Sequence, residues 1–276
     1  MHTFISGELK YSMNSVSPSQ ITSLMVFLKT VPFRYTIVRH KSSSLKKHLQ
    51  KVKGDPFNDK KRGEFYRSRA AFKLLEIDEK FHLFNKNCHN IVDLGFAPGA
   101  WSQVAVERLG DKNFTILGID INQATPYKGC HYIQGDVTKT STHTKTKDFF
   151  TDEDGLTQPL DLIMSDMMVN CTGHDHYDHI GNMELCNAAL ILAFNQLRAG
   201  GNMVMKAWQG SELKLLEARM KVLFLKQHAF KPHSSRSESS ELYFIGLGKR
   251  DLQHKVLLSD LFGDLEEVGK LQRLVR

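Results

Sequence analysis

A lysine closing an apolar run is the first residue in this sequence that calls for a chemical explanation. Lys206 follows "NMVM" and precedes "AWQG", so it ends an otherwise apolar segment. Burying an ammonium is costly unless an opposite charge meets it. Asp166, which ends the preceding apolar segment in "LDLIMSDMMVN", is the natural partner. Three more acids, Asp93, Asp120 and Asp136, stand at or after successive apolar segments. One such Asp is usually a turn cap, but three in sequence would line a mouth. Between the first two runs "GFAPGAW". Gly95 and Gly99 would let a ligand approach the backbone. Pro98 removes an N–H that a pyrophosphate would use, and the third glycine of a dinucleotide loop is missing. Asp120, 25 residues after Gly95, stands where an acid would take ribose hydroxyls. Acids without phosphate-binding amides favour a ligand that carries positive charge and no phosphate. S-adenosylmethionine, with its adenosine, sulfonium and amino-acid tail, fits. Trp101 is expected to lie against it.

These residues need strands that end together. "NIVDLGFA", "FTILGIDI", "CHYIQGDV", "LDLIMSDMMVN" and "NMVMKAWQG" read as five strands. "WSQVAVERLG" and "NMELCNAALILAFNQLRAGG" read as helices, the second closed by Gly200 and Gly201, and "SELKLLEARMKVLF" as an amphipathic helix. Two last strands, near 226–230 and 241–247, flank a Ser-rich loop. "EFYRSRAAFKLLEIDEKF" precedes them all as a one-faced helix, and 138–159 is polar helix or loop. The alternation predicts an α/β, Rossmann-like fold, with a mostly parallel seven-stranded sheet, an antiparallel edge hairpin and helices on both faces. Ligands in such sheets sit beyond the C-terminal strand ends.

The net charge of +7 and pI near 9.1 suit a polyanionic partner. The charge is uneven: the chain is strongly basic before Ile91 and slightly acidic after it. Residues 1–45 are acid-poor, basic and Ser-rich, which predicts a mitochondrial targeting leader, with a disordered RNA-binding tail as the alternative. Lys46, Lys47, Lys51, Lys53, Lys60, Lys61, Arg62, Arg67 and Arg69 then form a basic stretch interleaved with Phe65 and Tyr66. It reads as a phosphate grip for RNA. Residues 46–250 are expected to form the catalytic domain with this extension, and 251–276 a charged tail. Four scattered cysteines without C-x-x-C suggest neither a zinc site nor a disulfide framework. No apolar run is long enough for a spanning helix. The His174, His176 and His179 cluster in "CTGHDHYDH" invites a metal, but the spacing favours a polar rim loop and no metal is expected.

"YRSRAAFKL", "VDLGFAPGAWSQ", "IQGDV", "IMSDM", "GGNMVMKAWQG" and "SRSESSELYFIGLG" together resemble, in order and spacing, the FtsJ family of RNA 2′-O-ribose methyltransferases. The resemblance covers about residues 64–250 and looks closest to the family's fungal mitochondrial branch. It implies a catalytic tetrad of Lys73, Asp166, Lys206 and Glu241. It also implies S-adenosylmethionine contacts at Gly95, Pro98, Gly99, Trp101, Asp120, Asp136 and Asp166, beside the Asp93 read from position. The substrate it implies is mitochondrial large-subunit ribosomal RNA or a pre-ribosomal particle, methylated at a uridine near the peptidyl-transferase centre in the matrix by a monomer. Where the family often has "SDMAPN", this chain has "SDMMVN". A cytosolic tRNA or mRNA-cap 2′-O-methyltransferase and a non-catalytic assembly factor stay open, as does an NAD-dependent oxidoreductase, which Pro98 disfavours.

Overall fold

In the computed structural model the described residues are 66–170, 172–252 and 255–275. The expected basic residues from Lys46 to Arg62 lie outside them, as does the leader. Among these residues helix α1 (Ala70–Phe81) comes first, followed by β1 (Asn90–Leu94), α2 (Ala100–Leu109), β2 (Thr115–Asp120) and β3 (Cys130–Gln134). Then come α3 (Thr140–Phe149), β4 (Leu160–Ser165), α4 (Asp175–Gln196), β5 (Leu197–Trp208) and α5 (Leu213–Leu223). The strands β6 (Phe224–Phe230) and β7 (Glu241–Lys249) and two short helices, α6 (Leu258–Leu261) and α7 (Leu265–Leu274), complete the chain.

The seven strands form one sheet in the order β3-β2-β1-β4-β5-β7-β6. Strands β1 to β5 are parallel where they pair, and β7 is antiparallel to both β5 and β6. The expected hairpin is present, with its second strand inserted between β5 and the edge strand. Covering both faces is what makes β1 and β4 nearly continuous apolar runs. Leu94, Ile119, Met203, Met205 and Phe244 face α3, α4 and α5, while Ile91, Met164, Val204, Tyr243 and Ile245 face α1 and α2.

Two boundaries differ from the sequence reading. Helix α4 starts at Asp175, inside the stretch read as a rim loop, because the buried Asp178 carboxylate turns back and accepts from Thr172 N–H and Oγ–H and from Gly173 N–H. It ends at Gln196 rather than at the glycine pair, and β5 takes up Gly200 and Gly201. Lys249 Nζ donates to the carbonyls of Phe194 and Leu197 at this junction, a cation on a helix C-terminus. The C-terminal segment docks as helix: Val268 and Leu271 are buried, and the Arg219 guanidinium donates to the carbonyls of Leu261, Phe262 and Gly263.

Candidate active site

Strand parity decides what meets at the sheet's C-terminal edge. Val204 faces α1, so Lys206, two residues on, faces it too. On β7, Glu241 shares that face with Tyr243 and Ile245. Lys206 stands directly opposite Tyr243 in the β5–β7 ladder. Asp166 follows the last residue of β4, its N–H donating to the Leu94 carbonyl at 3.1 Å. Across from them, α1 buries Ala71, Leu74 and Ile77 together with Lys73. A lysine inside a buried helix face must find an anion. Lys73 Nζ lies 2.5 Å from Glu241 Oε1.

The result is a closed set of four charges. Lys206 Nζ is 3.3 Å from Asp166 Oδ1 and 3.8 Å from Glu241 Oε2. Lys73, Lys206 and Glu241 are 4%, 7% and 7% exposed, so solvent screens these pairs weakly. Burial pulls the Lys73 ammonium below the ordinary lysine range, the nearby Lys206 charge adds to this, and Asp166 and Glu241 oppose it. Burial tends to raise the Glu241 carboxyl, but the two lysines outweigh it and hold the carboxyl below its usual value. The four residues expected as a tetrad are therefore one cluster.

Two side chains join it that sequence reasoning placed elsewhere. Tyr243, read only as part of a core strand, donates its hydroxyl to Asp166 Oδ1 at 2.8 Å. The signal was available: a tyrosine two residues after Glu241 shares its face, and a buried phenol needs an acceptor. Arg69, expected in the phosphate grip, stands beside the cluster. Burial, then the Arg236 charge, lowers its guanidinium below the usual range, against Glu241, Tyr243 and Asp166. The Ser-rich loop is fixed over α1 by Glu76, whose carboxylate accepts from His233 N–H at 2.5 Å and Ser234 N–H at 2.8 Å.

The glycine loop lies on the other half of the edge. Gly95 adopts a left-handed φ of +77°, and a Cβ there would meet the Met167 backbone at 2.8 Å, so the loop can pass Asp166's neighbour only as glycine. A Cβ on Gly118 of β2 would overlap the Phe96 ring, which packs on the bare strand and anchors the loop from below. Gly99, also left-handed, precedes α2.

The acids around this loop divide by task. Asp93 is buried and accepts from Ser102 Oγ–H at 2.7 Å through Oδ2, while Oδ1 has no protein donor. Burial pushes its carboxyl up to about 7, with the Ser102 bond opposing. Asp120 accepts from Ala97 N–H at 2.9 Å and Asn122 N–H at 2.8 Å, and so ties the β1 loop to the β2 loop. Asp136 accepts from Thr138 N–H and Oγ–H, the turn-capping role. Asp93 Oδ1, Asp120 Oδ2 and Asp136 Oδ2 keep lone pairs for a ligand, whereas Oδ1 of Asp120 and of Asp136 each already accepts two hydrogen bonds.

Trp101 does not stand at the mouth. Its indole is 3% exposed, donates to the Ala70 carbonyl at 2.9 Å and packs near Tyr243, so it belongs to the core between α1 and the sheet. Arg67 is likewise engaged. Its Nη1 donates to the Pro98 carbonyl at 3.0 Å and the Thr125 carbonyl at 2.8 Å, its Nη2 to the Pro126 carbonyl at 3.3 Å, and its guanidinium covers the Tyr127 ring. It clamps the glycine loop to the β2–β3 loop instead of presenting itself to phosphates. His179, one of the three histidines considered as ligands, points inward to Glu212.

A sheet of this order, a glycine loop after β1 and a buried Lys–Asp–Lys–Glu cluster can be set beside known proteins. The chain is 41% identical over 222 residues to the ribosomal RNA large subunit methyltransferase E of Gluconobacter oxydans, covering 80% of this chain and 78% of that one. It is 33% identical to the mitochondrial rRNA methyltransferase 2 of Saccharomyces cerevisiae, over 77% of this chain and 90% of that one. A crystal structure of a Plasmodium falciparum protein described as a ribosomal RNA methyltransferase superposes with a TM-score of 0.59 at 32% identity, over 67% of this chain and 98% of that one. The family model described as FtsJ-like methyltransferase matches residues 66–249, a span holding all four charged residues and the glycine loop. On that match, and on relatives this similar over this much of their length, the chain belongs to the FtsJ-like methyltransferases.

Proposed function

We propose that the protein transfers a methyl group from S-adenosylmethionine to a ribose 2′-OH of mitochondrial large-subunit ribosomal RNA, at a uridine near the peptidyl-transferase centre. The observation that carries the reading is the Lys206 amine, buried at a strand end between Asp166 and Glu241. Nothing in a Rossmann-like core requires a charge there, and a hydroxyl acceptor does.

The methyl donor fits the residues beside it. Left-handed Gly95 and Gly99 keep the β1 loop open, Asp120 stands at the end of β2 for ribose hydroxyls, and Asp93 holds a buried carboxylate oxygen without a protein donor. When bound, S-adenosylmethionine supplies an electrophilic methyl group. The protein's own residues do the rest. A 2′-OH is a weak nucleophile and must lose its proton as it attacks. Lys206 can take that proton once its own ammonium has released one to solvent. Asp166 and Glu241 fix where its Nζ points, and Tyr243 fixes Asp166. Lys73, held by Glu241, places the ribose. Much of the acceleration comes from holding oxygen and methyl carbon in line.

The substrate assignment rests on the printed names of the relatives, which are ribosomal RNA methyltransferases, one of them mitochondrial. The basic, acid-poor leader agrees, as does the net charge of +7. Replacing Lys206 by Ala is expected to lower kcat by roughly 100- to 10,000-fold while cofactor affinity stays at the wild-type value. Turnover near that of the wild type would refute the assignment. Mapping ribose methylation in mitochondrial ribosomal RNA with and without the protein identifies the nucleotide.

A further inference from the structure

The first turn of α4 carries an aromatic cluster that the chemistry above does not use. The Tyr177 ring lies edge-on to His174, with centroids 6.1 Å apart, and 5.8 Å from His176. Tyr177 is 45% exposed, and Ile180, three residues on along the helix, is 41% exposed. Among the described residues no group of His, Cys, Asp and Glu could hold a metal ion.

Their position relative to Lys206 follows from how α4 climbs along the exit of β5. Cys186 Sγ lies 3.3 Å from the Lys206 carbonyl, Asn182 Oδ1 accepts from Trp208 N–H at 2.8 Å, and His179 packs against Gly210 and Glu212. Each helical turn toward the N-terminus thus stands further above the strand end. Tyr177 precedes Cys186 by nine residues, which places it about 14 Å beyond the level of the Lys206 carbonyl at 1.5 Å per residue. In the sheet order, the loops after β1, β2 and β3 lie to one side of Asp166, and Lys206 and Glu241 to the other. With the methyl donor on the first side, the acceptor ribose comes to Lys206 on the β4–β5 half, where α4 covers the opposite face of the sheet. The start of α4 is the rim of that half.

We propose that Tyr177, with His174 and His176, is a stacking platform for an unstacked nucleobase of the RNA strand adjacent to the methylated ribose. The inference rests on the ribose-methylation reading. Base-on-aromatic stacking is how single-stranded RNA is usually gripped next to chemistry, and it tolerates any base because each has a π face. The patch sets three aromatic rings together at the start of α4, beyond the strand end that carries Lys206.

The test uses the full chain, a transcript of the large-subunit ribosomal RNA and a labelled methyl donor. Tyr177→Ala is expected to raise the KM for RNA by roughly 5- to 100-fold, with kcat, cofactor affinity and melting temperature unchanged. Tyr177→Trp and Tyr177→Phe retain the wild-type KM, and His176→Ala shifts it in the same direction as Tyr177→Ala by a smaller factor. An unchanged KM in Tyr177→Ala overturns the platform, and so does a Phe variant as impaired as the Ala variant, since that would assign the effect to the hydroxyl. A wild-type protein that methylates no RNA would instead sink the ribose-methylation reading. The platform is then decided by transcript binding alone, where equal affinities of wild type and Tyr177→Ala overturn it.

Discussion

Replacing Glu241 by Gln tests whether the buried charges act as a unit. In the wild type two ammonium groups face two carboxylates, and Glu241 touches both lysines, at 2.5 Å and 3.8 Å. The substitution keeps the shape and removes one negative charge. Lys73, 4% exposed, then loses its closest anion. Stranding a buried charge in this way costs about 3–5 kcal/mol. For a domain of this size each kcal/mol moves the melting temperature by about 2–4 °C, so the variant should melt roughly 6–20 °C lower. Adding Lys73→Met to it removes the stranded charge and leaves the balanced Lys206–Asp166 pair. The double variant should therefore be more stable than Glu241→Gln alone, with a coupling of about 1–3 kcal/mol across the cycle. Methyl transfer should not return with the stability, because Lys206 has lost one of the two groups that aim it. Denaturant melts of all four proteins, read beside turnover, give both numbers. Additive stabilities would refute the four-charge unit, and recovered turnover in the double variant would refute the aiming role of Glu241.

Two other perturbations separate the remaining roles. Asp93 is pushed up to about 7 from a reference of 3.8, so between those values the folded state holds a proton that the unfolded chain has released. Stability should fall as pH rises through that window and level off above it; Asp93→Asn should remove the slope and exceed wild type by up to about 4 kcal/mol at pH 8. A stability difference independent of pH would exclude Asp93 as its source. Arg67→Met releases the clamp between the Pro98 and Thr125 carbonyls. It should weaken cofactor binding several-fold and leave the salt dependence of RNA binding intact, whereas a salt slope shallower by about one, with cofactor binding unchanged, would return Arg67 to the phosphates.

The strand order along the chain was legible because a sheet covered on both faces leaves apolar runs of strand length, and β1, β2 and β4 show this plainly. The insertion of β7 between β5 and β6 was not legible, since pairing partners leave no trace in a single strand's composition. The start of α4 was hidden by its polarity: "CTGHDHYDH" looks like loop until Asp178 is seen folding back on Thr172 and Gly173. Lys206 and Asp166 announced themselves as charges closing apolar segments. Lys73 did not, because a lysine beside Leu74 in an amphipathic helix usually reaches solvent, and only the family pattern singled it out. Trp101 and Arg67 were misplaced for a shared reason. Trp101 follows the glycine loop and Arg67 stands in the basic stretch, yet one turn of helix or one reach of guanidinium turned each toward the protein's own carbonyls.

What the four charges do for the fold also bears on what they are for. Buried ion pairs are poor stabilisers, because desolvation consumes most of what attraction returns, and apolar side chains of similar volume often serve stability better. The face that holds Lys73, Lys206 and Glu241 is otherwise lined by Ala71, Leu74, Val204 and Ile245, so apolar side chains would fit the pattern on either side. The cluster therefore has no structural motive in its own neighbourhood. It stands at the sheet edge that also carries the glycine loop, and the Tyr243 hydroxyl is spent on orienting Asp166 rather than on the core. Stability alone would have filled these positions with apolar groups. A reaction that must hold one amine still while it accepts a proton would fill them as they are.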